Sequence, residues 1–82
     1  MEFTFTPHAL EEMQERNIPL QVALTVLNNP DQIVPENKGR SAFQGEVLIN
    51  SKRYILRLIV EPDGTVVTMY RTSKIGKYGS ET

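Results

Sequence analysis

Lys52-Arg-Tyr-Ile-Leu-Arg-Leu-Ile-Val-Glu-Pro-Asp-Gly-Thr-Val-Val-Thr-Met-Tyr-Arg71 is the stretch whose reading decides the fold. It is the most apolar part of the chain and the richest in β-branched and aromatic residues, which predicts two central strands. Glu61-Pro-Asp-Gly-Thr65 separates them with turn chemistry: Pro62 presets φ, Asp63 tolerates the bridge region, and Gly64 accepts positive φ. Arginines at 53, 57 and 71 interrupt the apolar run. A guanidinium inside a central strand needs a reason, so the functional reading starts there.

Immediately before this hairpin, Arg40 to Ile49 reads as another strand, joined to it by a tight turn at Asn50-Ser51. If that loop has two residues, Ile49 faces Lys52. Val47 then faces Tyr54, Gly45 faces Leu56 and Phe43 faces Leu58 on the core side. Leu48–Arg53, Glu46–Ile55 and Gln44–Arg57 share the other side.

Across the second turn two registers compete. A type I turn at Pro62-Asp63 with Gly64 as a bulge is favoured, because proline suits the second position of that turn. Carried to the end of the strand, it pairs Arg57 with Met69 and Ile55 with Arg71 on the outer side, and Leu56 with Tyr70 on the core side. Arg53, Arg57 and Arg71 would then share one face with Gln44 and Glu46. A two-residue Asp63-Gly64 loop slips the register by one, so that Arg57 faces Tyr70 and Arg71 turns toward the core.

The N-terminal part is helical. Glu2-Phe-Thr-Phe5 alternates as a short edge strand with Phe3 and Phe5 on one face, and Thr6-Pro7 supplies a hydroxyl cap followed by proline at the first helical position. A helix is predicted from Pro7 to about Arg16, burying Ala9, Leu10 and Met13, with Asn17 as a left-handed stop. Ile18-Pro19 begins a second helix, with proline near its first turn and Leu20, Ala23, Leu24 and Leu27 at helical spacing, and the helix ends at Asn28-Asn29-Pro30. Asp31 to Pro35 reads as a short strand held to an edge by Pro35, and Glu36-Asn-Lys-Gly39 as a polar loop. The predicted architecture is a single α+β domain over residues 1–82. Two N-terminal helices pack on one face of a four- to five-stranded, mostly antiparallel sheet, and residues 72–82 form a basic tail or short terminal helix.

The 82 residues suffice for one core and no second lobe. With no cysteine and one histidine, neither a disulfide framework nor a thiolate or histidine metal site is expected, and no cofactor is. No apolar run approaches a membrane span and no signal peptide is recognisable, which predicts a cytoplasmic protein without membrane contact. Net charge is −1, but it is partitioned. Residues 1–36 carry six acids and one base, whereas residues 37–82 carry eight bases and four acids. An anionic ligand would be drawn to the sheet half. An outer face on which arginines sit among Ile55, Ile59, Val67 and Met69 suits phosphate and base contact. It equally suits a protein partner, or a second copy of the chain, laid over the sheet.

The segments Thr6-Pro-His-Ala-Leu-Glu-Glu-Met-Gln-Glu-Arg-Asn-Ile18, Val26-Leu-Asn-Asn-Pro-Asp31 and Val67-Thr-Met-Tyr-Arg-Thr-Ser-Lys-Ile75 resemble the pattern HA-x-x-x-M-x-x-R-x-I … NP … YRTSKI of a domain-of-unknown-function family. That family is similar in architecture to the RelE/ParE-type and BrnT-type toxins of bacterial toxin–antitoxin pairs. The resemblance implies a β-α-α-β-β-β-β fold and, as function, metal-independent cleavage or binding of RNA, with a cognate antitoxin as partner. Its chemistry asks for a base, an acid for the leaving oxygen, and cations for the phosphorane charge. The residues it points to here are His8, Arg57, Tyr70, Arg71 and Tyr78 as catalytic groups, with Arg53, Gln44, Lys74 and Lys77 contacting RNA. The alternative is a non-catalytic interaction domain using the same sheet face.

Overall fold

The computed structural model describes residues 2–73. The candidates Lys74, Lys77 and Tyr78, and with them most of the predicted terminal segment, lie outside the described residues. The elements follow in the order β1 (Thr4–Phe5), α1 (Pro7–Glu15), α2 (Leu20–Asn28), β2 (Gln32–Pro35), β3 (Ser41–Ile49), β4 (Lys52–Val60) and β5 (Thr65–Thr72), with a 3-10 turn at Asn37–Gly39 between β2 and β3. The sheet order is β1-β5-β4-β3-β2, antiparallel throughout except where β1 pairs parallel with β5. This is the predicted α+β arrangement, with the helices ahead of the main strands.

Local chemistry explains the helix boundaries. The Thr6 hydroxyl accepts the Ala9 N–H at 3.0 Å and donates to the Val67 carbonyl at 3.1 Å, so one side chain caps α1 and ties it to β5. Asn17 ends α1 at φ 52°, a left-handed geometry that asparagine tolerates. The buried face of the helices is narrower than the spacing predicts. Ala9, Ala23, Val26 and Leu27 are buried, but Leu10 and Leu20 are each half exposed. The helices are nine residues each and pack on the interior strands, α1 on β5 and α2 on β3 and β4, through a narrow stripe that leaves their flanking leucines uncovered. The core lies between the helices and Ile49, Leu56, Leu58, Val60, Val66 and Met69.

The β3–β4 hairpin has the predicted register at every pair, from Ser41↔Val60 to Ile49↔Lys52. Asn50 and Ser51 both take positive φ, 53° and 66°, as a two-residue turn matched to strand twist requires. At the edge of this layer Asp31 accepts the Glu46 N–H at 2.9 Å, and the Asp31 N–H donates to the Gln44 carbonyl at 2.8 Å, fixing how β2 enters the sheet.

The β4–β5 hairpin corrects the favoured reading in an instructive way. Its turn is as expected: the Gly64 N–H donates to the Glu61 carbonyl at 2.9 Å, Gly64 sits at φ 94°, and Val60 faces Val66. One residue further on, a β-bulge shifts the pairing. Ile59 now faces Thr68, Leu58 faces Met69, Arg57 faces Tyr70 and Leu56 faces Arg71. The cause is the N-terminal segment. The Thr6 N–H donates to the Val66 carbonyl at 3.0 Å and its hydroxyl to the Val67 carbonyl, so consecutive carbonyls of β5 are drawn toward the start of α1. The shift also buries Met69 completely, a gain of roughly 1.5–3 kcal/mol over leaving such a side chain exposed. Met69 therefore belongs to the core and not to the outer face. Arg71 moves to the helix side.

Candidate functional site

Strand alternation places Arg57 and Tyr70 side by side on the sheet face turned away from the helices, beside Gln44. Arg57 is only 8% exposed and Gln44 4%. Three partners among the described residues hold the guanidinium. Its Nε donates to Gln44 Oε1 at 2.8 Å, Nη1 to the Tyr70 hydroxyl at 2.5 Å, and Nη2 to Glu36 Oε2 at 2.9 Å. Gln44 in turn donates to Gln32 Oε1 at 2.8 Å, which extends the network to β2. A charged group this buried is tolerated only when paired and hydrogen-bonded. Here the partners come from β3, from β5 and from the residue that follows β2.

Glu36 was not singled out by the sequence, where it reads as one polar residue of a loop. Its position is nevertheless built. Its backbone N–H donates to the Arg40 carbonyl at 2.8 Å, and the turn after it closes through Lys38 at φ 62° and Gly39 at φ 74°. Its side chain is one-third exposed, against 9% for Arg57. The only sequence signal is an acid following the proline that ends an edge strand, which is too common to point anywhere.

The remaining candidates fall elsewhere. Arg53 is on the same face as Arg57 but near the Asn50-Ser51 turn, where it pairs with Glu46 on an exposed surface. Arg71 stacks on Tyr54, its guanidinium carbon 4.3 Å from the ring centroid, and its Nε donates to the Arg16 carbonyl at 2.7 Å. It thereby caps the C-terminal end of α1, where a cation is favoured, and lines a groove of about 520 Å³ with Glu15, Arg16, Tyr54, Thr72 and Ser73. His8 lies on α1, so the sheet separates it from Arg57. It is 61% exposed, and its Nε2 is 3.9 Å from Glu12 Oε2. The Glu12 carboxyl is held below its ordinary range by the hydrogen bond from Arg16, with further help from the charges of Arg16 and His8. The expected set thus divides. Arg57, Tyr70 and Gln44 come together, while His8 and Arg71 belong to the helical side.

What the arrangement can do follows from its parts. Arg57 presents a fixed planar cation suited to a phosphate oxygen. The Tyr70 oxygen accepts from Arg57 and keeps its own hydrogen to donate. Glu36 adds a carboxylate beside both.

Comparison with known proteins gives a family and no closer relative. No curated protein and no solved structure matches the chain significantly. The model of the family described as Domain of unknown function (DUF4258) matches residues 5–71, a span that runs from β1 into β5 and contains Glu36, Gln44, Arg57 and Tyr70, and the chain belongs to that family.

Proposed function

We propose that the sheet face turned away from the helices is the RNA-binding and RNA-cleaving surface of a toxin-like protein, with Arg57 and Tyr70 at its centre. The observation that carries this is the buried Arg57 guanidinium in mid-strand, aimed by Gln44, Tyr70 and Glu36. Stability does not ask for it: an apolar side chain in place of a buried ion pair is commonly neutral or better. The resemblance to RelE/ParE-type and BrnT-type toxins supplies the substrate class. In the reaction the ribose 2′-oxygen attacks the adjacent phosphorus, Arg57 stabilises the charge that builds on the phosphoryl oxygens, and Tyr70 donates its proton to the departing 5′-oxygen. An antitoxin covering this face would block the reaction.

The test is expression of the protein alone and with the product of the adjacent gene, together with cleavage assays on purified protein. Arg57→Gln and Tyr70→Phe are each expected to slow cleavage by about 10²-fold or more, the range for losing one electrostatic or proton-transfer group. Tyr70→Phe should melt close to wild type, whereas Arg57→Gln takes the shared donor from Glu36, Gln44 and Tyr70 and should melt lower, so its cleavage is assayed well below its own melting temperature. No growth effect and no RNA cleavage by the wild type would refute the proposal. A second reading, a non-catalytic docking surface, draws on Leu48, 65% exposed on the same face. It would be favoured if partner binding survives both substitutions and no RNA is cut.

A further inference from the structure

The cleavage chemistry needs a base for the 2′-hydroxyl, and His8, the residue the sequence offered, stands on the opposite side of the sheet. We infer that Glu36 is that base, an assignment that rests on the RNA-cleavage reading of the same face. Its Oε2 accepts from Arg57 Nη2 at 2.9 Å, while Tyr70 occupies Nη1 of the same guanidinium at 2.5 Å. The two nitrogens share one carbon, so a carboxylate and a phenol stand at adjacent ends of a single planar cation. These are the three groups that general acid–base cleavage asks for: a proton acceptor for the attacking oxygen, a proton donor for the leaving one, and positive charge beside both. Among the described residues Oε1 of Glu36 receives no hydrogen bond, and the side chain is one-third exposed, so it can meet a substrate hydroxyl. Glu46, an acid on the same face, is committed to Arg53.

The step balances without any further reactant. Glu36 takes the proton of the 2′-hydroxyl, and the 2′-oxygen forms a bond to phosphorus. The bond from phosphorus to the 5′-oxygen breaks, and that oxygen takes the Tyr70 proton. The products are a 2′,3′-cyclic phosphate and a 5′-hydroxyl. Glu36 is left protonated and Tyr70 ionised, and exchange of one proton through water restores both.

A purely positioning role makes a different prediction, and Glu36→Gln separates the two. Glutamine still offers Arg57 an acceptor oxygen but takes no proton. If Glu36 is the base, Glu36→Gln slows cleavage by about 10²-fold or more, and the part of the pH–rate profile that rises with pH disappears. Glu36→Asp recovers part of the rate. Affinity for an oligonucleotide carrying a 2′-deoxyribose at the cut site, measured by fluorescence anisotropy, is retained or improved, because a negative charge has left the site. The readout of cleavage is sequencing of RNA ends bearing 2′,3′-cyclic phosphate, in cells expressing each variant and with purified protein. Cleavage by Glu36→Gln within about threefold of wild type, with the rising limb intact, overturns the assignment and leaves the RNA-cleavage reading standing. Absence of such ends with the wild type overturns both.

Discussion

Arg71→Met tests whether the two sides of the sheet divide labour as the register implies. Arg71 makes two contacts that methionine cannot: a hydrogen bond from Nε to the Arg16 carbonyl at 2.7 Å, and a guanidinium stack on Tyr54 at 4.3 Å. The first joins a cation to the negative end of α1. Because the side chain is partly exposed, it is worth about 0.5–1 kcal/mol, with the dipole contribution included and not added again. The stack adds about 0.5–1 kcal/mol at a site still reached by water. Methionine keeps most of the aliphatic packing of the arginine stem. The expected loss is therefore about 1–2 kcal/mol. For a domain of this size that lowers the melting temperature by roughly 4–15 °C, and lowers the urea midpoint by about 1–2 M if m is near 1 kcal/mol/M. The chain has no tryptophan, so far-ultraviolet circular dichroism is the suitable probe. Assayed well below the melting temperature, RNA cleavage should remain within about threefold of wild type, as expected for a residue outside the reacting groups. Unchanged stability with cleavage lost would show that Arg71 works beside the phosphate, and would refute the division of the two faces.

Two further outcomes follow from local geometry. Ser51→Gly should stabilise the protein by about 0.5–1 kcal/mol in the same denaturation assay, since Ser51 sits at φ 66° in a turn whose preferred sequence is Asn-Gly. Asp63 accepts from Thr65, whose hydroxyl and then backbone N–H, the latter at 2.9 Å, hold its carboxyl below the ordinary range. A carboxyl depressed on folding contributes stability above its unfolded pKa and loses it as pH falls through the folded value. Asp63→Asn should thus be less stable than wild type near neutrality, and the gap should close in acid when melting temperatures are compared from pH 7 to pH 3.

Where the sequence was decisive, local chemistry had no competitor. Thr6-Pro7, Asn17 and Asn50-Ser51 each carry a stereochemical preference that the fold has no reason to override, so the helix limits and the β3–β4 register were readable in advance. The Pro62-Asp63-Gly64 turn was readable too, and Val60 faces Val66 as that turn demands. The error came from extending the turn's register along the whole strand. The bulge after Val66 answers to Thr6, sixty residues away in sequence, and nothing about valine announces it. A one-residue shift exchanges every side chain between faces, so this single long-range contact replaced Arg71 by Tyr70 at the candidate site. Glu36 was hidden for a related reason: its significance lies wholly in meeting Arg57 across 21 positions of sequence.

The charge balance bears on how such a site would select its ligand. Among the described residues four arginines stand against carboxylates: Arg16 with Glu12, Arg40 with Glu61, Arg53 with Glu46 and Arg57 with Glu36. Arg40, Arg53 and Arg57 of the basic half are thus neutralised, and neutralised pairs contribute little to the counterion release that drives general affinity for nucleic acid. What distinguishes Arg57 from the other three is burial and aim. Its field acts where surrounding side chains limit screening by water, and its donors are fixed in direction before any substrate arrives. A site of this kind gains more by stabilising charge that develops in a reaction than by holding the resting phosphodiester. On the proposed function, weak binding of RNA and discrimination at the moment of cleavage would be two consequences of one arrangement. The acidic balance that counts against a strong RNA binder is compatible with an enzyme whose specificity resides in a single well-held guanidinium.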